Sequence, residues 1–541
     1  MKTSLFPFGS VFLRALSAFF ALRFHKTRLG SVQYYMRNNV YKTTAIITIL
    51  SAIERTLGFL YRVVLSRFIG AEGLGLYQVA LSLFAVFLTI GTGGIPVTIS
   101  RLKTKGYAEG KRENGDCALA AGALFSLLLT LPVCLFFFLF GKRTGFLFSD
   151  ERCIPLFTLL LTGLPFTCVY ADIRGSFWGD KKFFQPALTE LFEETVMVIA
   201  GVLLLGRFSP DNFGGAADAA ARGTYFACLA VVISYFASFT ASVILFFVGG
   251  GKIRSPKTQF KPLFSSAAPI TAVRACSTLI GSAVAVILPA MLIRSGLSSS
   301  EALRTFGVAA GMAMPVLSIP STFIGSVSLV LTPEFSESFY KKRTDKLTAD
   351  IGRGVYAAFA FSCLFMPFFF VYGLPLGELL YSDRGAGEMI AKCAFMLLPM
   401  SVSLISTGIL NSMNYEKQTL RFYFIGAALM LLCVFFLPAK IGSFAYPVGM
   451  TAAFVCTACL NMLFLIARCP LPAMLLKKCL IAFAAILPVA TCGRILFPLF
   501  SKFLSTLPAM LISGSITLLF NLLLWVALKL FPVKKVKNKL F

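Results

Sequence analysis

The chain has 541 residues, of which 57% are hydrophobic and 13% charged, and it carries a formal net charge of +27. A soluble domain uses roughly 25% charged residues, so water cannot be the solvent for most of this surface, and a water-soluble fold is excluded. The basic excess sits in short loops between apolar runs, which points to anionic lipid headgroups and membrane orientation rather than to nucleic acid.

A helix needs ~20 apolar residues to cross the hydrocarbon, whereas barrel strands alternate over ~10-residue segments. The runs here are long and unalternating, so the expected class is an all-α membrane protein. Before the first strong run, Leu5–Phe24 is apolar apart from Arg14 and a few small residues, which suits an interfacial helix or a weak signal-like segment. Met36-Arg37-Asn38-Asn39 reads as a natural start, so residues 1–35 are expected to be a start-site artefact or a dispensable extension.

From there about fourteen spans are predicted: 43–65, 76–98, 116–140, 153–177, 183–205, 224–248, 264–293, 303–332, 354–380, 388–412, 420–437, 443–467, 475–498 and 507–530. Ionisable side chains at depth cost roughly 2.5–3.5 kcal/mol each and default to a functional reading. The first span holds Glu54, Arg55 and Arg62, the two arginines sharing a face ~10 Å apart along the axis. The second is punctuated by Gly91, Gly93, Gly94 and Pro96, and the fourth ends with Asp172 and Arg174. The fifth carries Glu190, Glu193 and Glu194 on one face, and the seventh carries Arg274 near mid-depth. Gly307, Gly311, Pro315, Pro320 and Gly325 interrupt the eighth. Gly94, Pro96, Pro315 and Pro320 read as hinge candidates, against ordinary close packing through small residues. The 14 cysteines are scattered, and the one close pair, Cys456 and Cys459, lies mid-helix; with His25 the single histidine, a metal site is not expected.

Arg101, Lys103, Lys105, Lys111, Lys181, Lys182, Lys252, Arg254, Lys257, Lys261, Lys341, Lys342, Arg343, Lys477, Lys478 and the lysines of the tail fall on one set of loops. The positive-inside rule then places both termini in the cytoplasm of a multi-pass cell-membrane protein, as an even span count requires. Lys42 precedes Arg55, and Lys261 precedes Arg274, by the same 13 residues. That trace of duplication suggests parallel six-helix repeats: an N-lobe over 36–250, a C-lobe over 251–470, and two extra helices with a basic cytoplasmic tail over 471–541. Guanidinium groups bind phosphate through paired N–H donors. Arg55, Arg62 and Arg274 are therefore the expected substrate-binding residues of a central cavity, and Glu54, Glu190, Glu193 and Glu194 either balance them or bind a coupling cation.

Asn38-Asn39-Val40-Tyr41-Lys42, Arg55 to Arg62, the run Ile69-Gly70-Ala71-Glu72-Gly73-Leu74-Gly75-Leu76-Tyr77-Gln78, and Gly94-Ile95-Pro96 resemble the stage V sporulation protein B branch of polysaccharide exporters. Ala268-Pro269-Ile270-Thr271 before Arg274, Gly311-Met312-Ala313-Met314-Pro315 and Pro333-Glu334-Phe335-Ser336-Glu337 extend the resemblance over roughly 36–530. It implies membership of the multidrug/oligosaccharidyl-lipid/polysaccharide flippase superfamily, with twelve to fourteen helices in two lobes around a central cavity. It also implies peptidoglycan or polysaccharide biosynthesis, a link to sporulation and the cell wall, and a lipid tail held against the last two helices, here 475–530. The expected function is a flippase, not an enzyme, moving a polyprenyl-diphosphate-linked saccharide by alternating access among membrane lipids, with Na+ or H+ coupling and no cofactor. The alternatives are a cation-coupled drug extruder of the same fold and a non-transporting partner in a wall-synthesis complex. A membrane-embedded glycosyl- or acyltransferase is disfavoured by the single histidine and short loops.

Overall fold

The computed structural model describes residues 40–111, 113–207, 216–470, 473–528 and 530. The segment 1–35 lies outside them. In chain order the helices are α1 (Val40–Thr92), α2 (Ile95–Ala108), α3 (Glu113–Phe140), α4 (Cys153–Gly179), α5 (Phe184–Gly206), α6 (Ala216–Val248), α7 (Phe260–Arg294), α8 (Ser299–Phe306) and α9 (Met314–Tyr340). They continue with α10 (Thr344–Tyr381), α11 (Arg384–Cys393), α12 (Leu397–Ser412), α13 (Glu416–Phe436), α14 (Pro438–Ile441), α15 (Ala445–Ile466), α16 (Ala473–Ala484), α17 (Ile486–Ser501) and α18 (Thr506–Ala527).

Twelve stretches of the described residues are long and apolar enough to cross a membrane. The first of these, Ile46–Ala108, turns back at Gly70, whose φ of 67° is open to a residue without Cβ. The reversal brings Tyr61 and Arg62 within electrostatic reach of Tyr77, which a straight helix would hold ~22 Å away. Phe184–Gly206 falls outside the twelve, since its three glutamates dilute the apolar run, but it spans the same layer. The protein is thus an all-helical, multi-pass membrane protein of fourteen crossing helices.

Gly70, the 294–299 turn and Ser382 lie at one end of the bundle, called here the kink end. The basic loops after α2, α4 and α6 lie at the other. The apolar cores differ between the two ends. At the kink end one core runs through both halves of the chain, joining Leu74, Leu76 and Ala80 of α1 to Leu303, Phe306 and Met312. At the basic end there are two further, separate cores. One joins Ile95, Ile99, Leu119, Ile173 and Phe177 to Leu263 and Ala267 at the start of α7. The other joins Ile324, Phe335, Ile351, Ile405 and Leu410. The first nine residues of α7 therefore pack with the first half of the chain. The extended packing partners of α9 are α10, α11, α12 and the π-helical turn Gly307–Ala313 that precedes it, all in the second half. The halves are fused at the kink end and diverge toward the basic end.

Backbone-to-backbone contact produces the fusion. A Cβ on Gly75 would lie 2.1 Å from the Leu303 carbonyl oxygen, and one on Gly307 would lie 1.9 Å from that of Ala71. The helices α16, α17 and α18 stand aside, packed on α10 and each other. Tyr372 meets Thr517 at 3.1 Å, and Asn521 Nδ2 donates to the Leu364 carbonyl at 3.1 Å.

Candidate functional site

The first arm of α1 faces α5 through charge. Glu54 lies within electrostatic reach of Glu190, Arg55 and Arg174, and Glu194 within reach of Glu54 and Arg62. Gly58, between the two arginines of α1, leaves the space that the Glu194 carboxylate fills: a Cβ there would lie 2.5 Å from Oε1. Glu190 accepts an ion pair from Arg174 of α4. The Arg174 guanidinium lies 5.6 Å from the Tyr170 ring centre and 5.3 Å from that of Trp178. Glu193 is turned inward toward Ser238 and leaves Oε2 buried without a partner.

The three arginines predicted for substrate have different surroundings. Arg55 is exposed and Arg62 half-buried, and neither forms an ion pair within 4 Å among the described residues. A lone guanidinium at mid-depth is intolerable against lipid, so the face that carries Arg55 borders the divergent, water-accessible side of the bundle. Arg274 is also exposed, but its Nη1 donates to the Gly93 carbonyl at 2.8 Å. Glu54, Arg55, Arg62, Glu190, Glu193 and Glu194 thus form one cluster, while Arg274 approaches α1 near the end of its second arm.

That contact falls on a real break. Helix α1 ends at Thr92, α2 begins at Ile95, and Gly93-Gly94 joins them. Gly94 N donates to Thr271 Oγ1 at 2.9 Å, and Thr89 meets Thr278 at 3.1 Å, so α7 clasps the joint. Pro96 sits in the first turn of α2, where it costs no backbone hydrogen bond. Pro315 opens α9 directly after the π turn, and Pro320 is buried one turn on. A π segment of seven residues, Gly307–Ala313, is an uncommon geometry found often at functional positions, and the glycines alone did not announce it.

The sequence reading also passed over a polar clasp at the kink end. Arg152, in the turn before α4, donates to Glu72 Oε1 at 2.8 Å and to both oxygens of Asp150. Asp150 in turn accepts from Ser299 Oγ at 2.5 Å, in the second half of the chain. Burial disfavours the Asp150 charge, but the hydrogen bonds from Arg152 and Ser299 outweigh it and hold the carboxyl below its ordinary range. From α1, Arg67 donates to the carbonyls of Leu379 and Leu380, capping the C-terminus of α10. Beside these contacts lies a cleft of about 510 Å³, bordered by Arg67, Glu72, Arg304, Tyr381 and Asp383. Arg152→Ala is expected to weaken the kink-end closure by about 1–2 kcal/mol. Hydrogen exchange over residues 71–76 and 303–313 should rise roughly tenfold, and unchanged exchange there would show the clasp to be ornamental.

Residues 40–339 match the family model described as polysaccharide biosynthesis protein. Stage V sporulation protein B of Bacillus subtilis (strain 168) is 25% identical over 407 residues, covering 74% of this chain and 78% of that protein. Lipid II flippase MurJ of the same organism is 25% identical over 430 residues, covering 73% of this chain and 77% of that protein. Among solved structures, the lipid II flippase MurJ in its inward closed conformation superposes with a TM-score of 0.65 at 17% identity, over 90% of this chain and 100% of that one.

Proposed function

The chain belongs to the polysaccharide biosynthesis protein family, is a membrane transporter related to the lipid II flippase and to stage V sporulation protein B, and is not a catalytic enzyme; from that premise we propose that it flips a polyprenyl-diphosphate-linked saccharide across the cytoplasmic membrane. The observation that carries the reading is the unpaired guanidinium of Arg55 at mid-depth, on the side where the halves diverge. A saccharide on a diphosphate cannot cross hydrocarbon unaided, and arginine is the side chain whose paired donors match a phosphate. The basic end faces the cytoplasm in this proposal, so the diphosphate enters through the divergent end, where both termini lie. Arg55 and Arg62 meet the diphosphate first. Arg274 leaves the Gly93 carbonyl to complete the grip, and the glutamates of α5 neutralise α1 when the site is empty. The polyprenyl tail rides outside, along the standing helices α16–α18, whose Leu480, Leu487 and Ile495 are exposed.

The drug-extruder alternative expects an acidic cavity for cationic substrates, and the acids here are shared among arginines instead. Flipping is tested in liposomes loaded with lipid-linked peptidoglycan precursor, at matched protein content. Arg55→Ala and Arg274→Ala should each lose about 10- to 100-fold in rate, the worth of one charge-assisted contact. Full activity in both variants would remove the arginine proposal.

A further inference from the structure

Asp172 of α4 is an ionisable side chain with no counter-charge that the charge cluster does not use. It is 0% exposed, as is its neighbour Ser126 of α3. Its Oδ2 accepts from Ser126 Oγ at 2.7 Å, and its Oδ1 is buried with no partner. Ser126 Oγ also lies 3.3 Å from the carbonyl oxygen of Gly91. That carbonyl is in the last turn of α1, where no helical N–H follows to take it up. Gly91 lacks the Cβ that would collide with Cys168 Sγ at 2.5 Å, and this lets the three elements meet.

A serine hydroxyl has one proton to give. If Asp172 is ionised, that proton goes to the carboxylate and the Gly91 carbonyl goes without. If Asp172 carries a proton, its own O–H donates to Ser126, and Ser126 is free to donate to Gly91. The two states therefore differ by one cap on the C-terminus of α1. Across the same joint, Arg274 holds Gly93 and Thr271 holds Gly94.

We propose that Asp172 is a proton-binding site whose occupancy, relayed through Ser126 to the Gly91 carbonyl, sets the α1–α2 joint that Arg274 grips from the opposite side. Protonation closes the cap and stiffens the joint. Proton release frees the Gly91 carbonyl and lets the joint move, together with the arginine bound to it. The proton comes from and returns to water, with no other bond made or broken. A metal ion is disfavoured, because the three oxygens stand at direct hydrogen-bond distances, with no room for an ion between them. No group of three or more potential metal ligands occurs among the described residues. The ionisable side chains on the packed elements are Cys168 on α4 itself, Cys134 on α3 and Tyr235 on α6. On α2, Lys103 is taken by Ser176 and Asp180, and on α5, Glu190 is taken by Arg174. The stretch of α1 from Val79 to Thr92 carries no ionisable residue.

The inference rests on the flippase reading only for what Arg274 does, so the test has two arms. In the first, hydrogen exchange of residues 89–98 is followed against pH in lipid nanodiscs, corrected for the intrinsic rate and without substrate. Protection in the wild type should fall as pH rises, by about tenfold per pH unit at most, the slope of one proton. Asp172→Asn, whose amide donates to Ser126 at every pH, should stay at the acid level throughout. Ser126→Ala should be unprotected and pH-independent. A wild-type pH response in Asp172→Asn, or a response to sodium in place of pH, overturns the proposal. In the second arm, binding of a sugar-free polyprenyl diphosphate should depend on pH in the wild type and not in Asp172→Asn. Binding that is pH-independent in the wild type overturns the coupling to Arg274. No binding at any pH would instead remove the substrate reading and leave the proton site standing.

Discussion

Gly307→Leu is expected to abolish transport by preventing the kink end from closing. A Cβ at this position would lie 1.9 Å from the Ala71 carbonyl oxygen and 2.7 Å from the Gly75 amide nitrogen, and both obstacles are backbone. A flexible side chain can swing away, but a helix can only move as a body. Leucine therefore pushes α1 away from the π turn, and the core shared by Leu74, Leu303 and Met312 opens with it. Overpacking of this kind costs about 1–3 kcal/mol, and here it falls entirely on the closed state, so that state loses up to roughly 100-fold in population. Two measurements check it. Flipping should fall by roughly that factor, and exchange over 71–76 and 303–313 should rise, while the separate core of Ile324, Phe335 and Ile351 keeps its protection. Gly281→Leu is the control, because a Cβ there meets nothing within 4 Å. If Gly307→Leu transports like that control, the contact is not a gate.

The spans were readable because lipid imposes an apolar length that few other contexts require. The prediction of 153–177 stands beside Cys153–Gly179, and 183–205 beside Phe184–Gly206, even though the three glutamates of the latter dilute its hydropathy. What the sequence hid is what the apolar pattern does not encode. The reversal at Gly70 lies inside an unbroken helical hydrogen-bond pattern, so the loop expected between 65 and 76 is one residue with positive φ. The fourth-from-last proline and glycine pattern of the eighth span suggested bending, but not that its backbone would follow a π course over Gly307–Ala313. Helix α10 begins at Thr344, ten residues before the expected 354, because a polar first turn outside the hydrocarbon needs no apolar signal. For the site, depth was legible and direction was not. Mid-span placement marked Arg55, Arg62 and Arg274 alike, yet Arg274 turns to a backbone carbonyl that only the break after Thr92 leaves free. Asp150 and Arg152 looked like ordinary loop charges, since their partners Glu72 and Ser299 are distant in sequence.

The second large effect is expected from Arg174→Ala, and it separates structure from transport. Arg174 is enclosed by Tyr170, Trp178 and Glu190, with about a quarter of each charged side chain still exposed. Removing it leaves Glu190 unpaired beside Glu54 and Glu193, so three carboxylates face one another with the nearest cation gone. Breaking a fully buried pair costs about 3–5 kcal/mol; residual solvent access here should reduce that to about 2–3 kcal/mol. The thermal midpoint of the purified protein should drop accordingly. Glu190→Gln in the same chain should recover part of the loss, because the penalty comes from the stranded charge rather than from the missing contact. A double-mutant cycle gives the coupling directly. If the pair is purely structural, the double variant flips substrate at the wild-type rate once stability is restored. If α5 also balances Arg55 and Arg62 in the empty state, neutralising Glu190 leaves α1 more positive. Binding of the diphosphate then tightens while its release slows, so turnover stays low in a protein that melts normally. Equal melting of Arg174→Ala and wild type would mean that water already screens these charges, and the dry boundary drawn here between α4 and α5 would have to be abandoned.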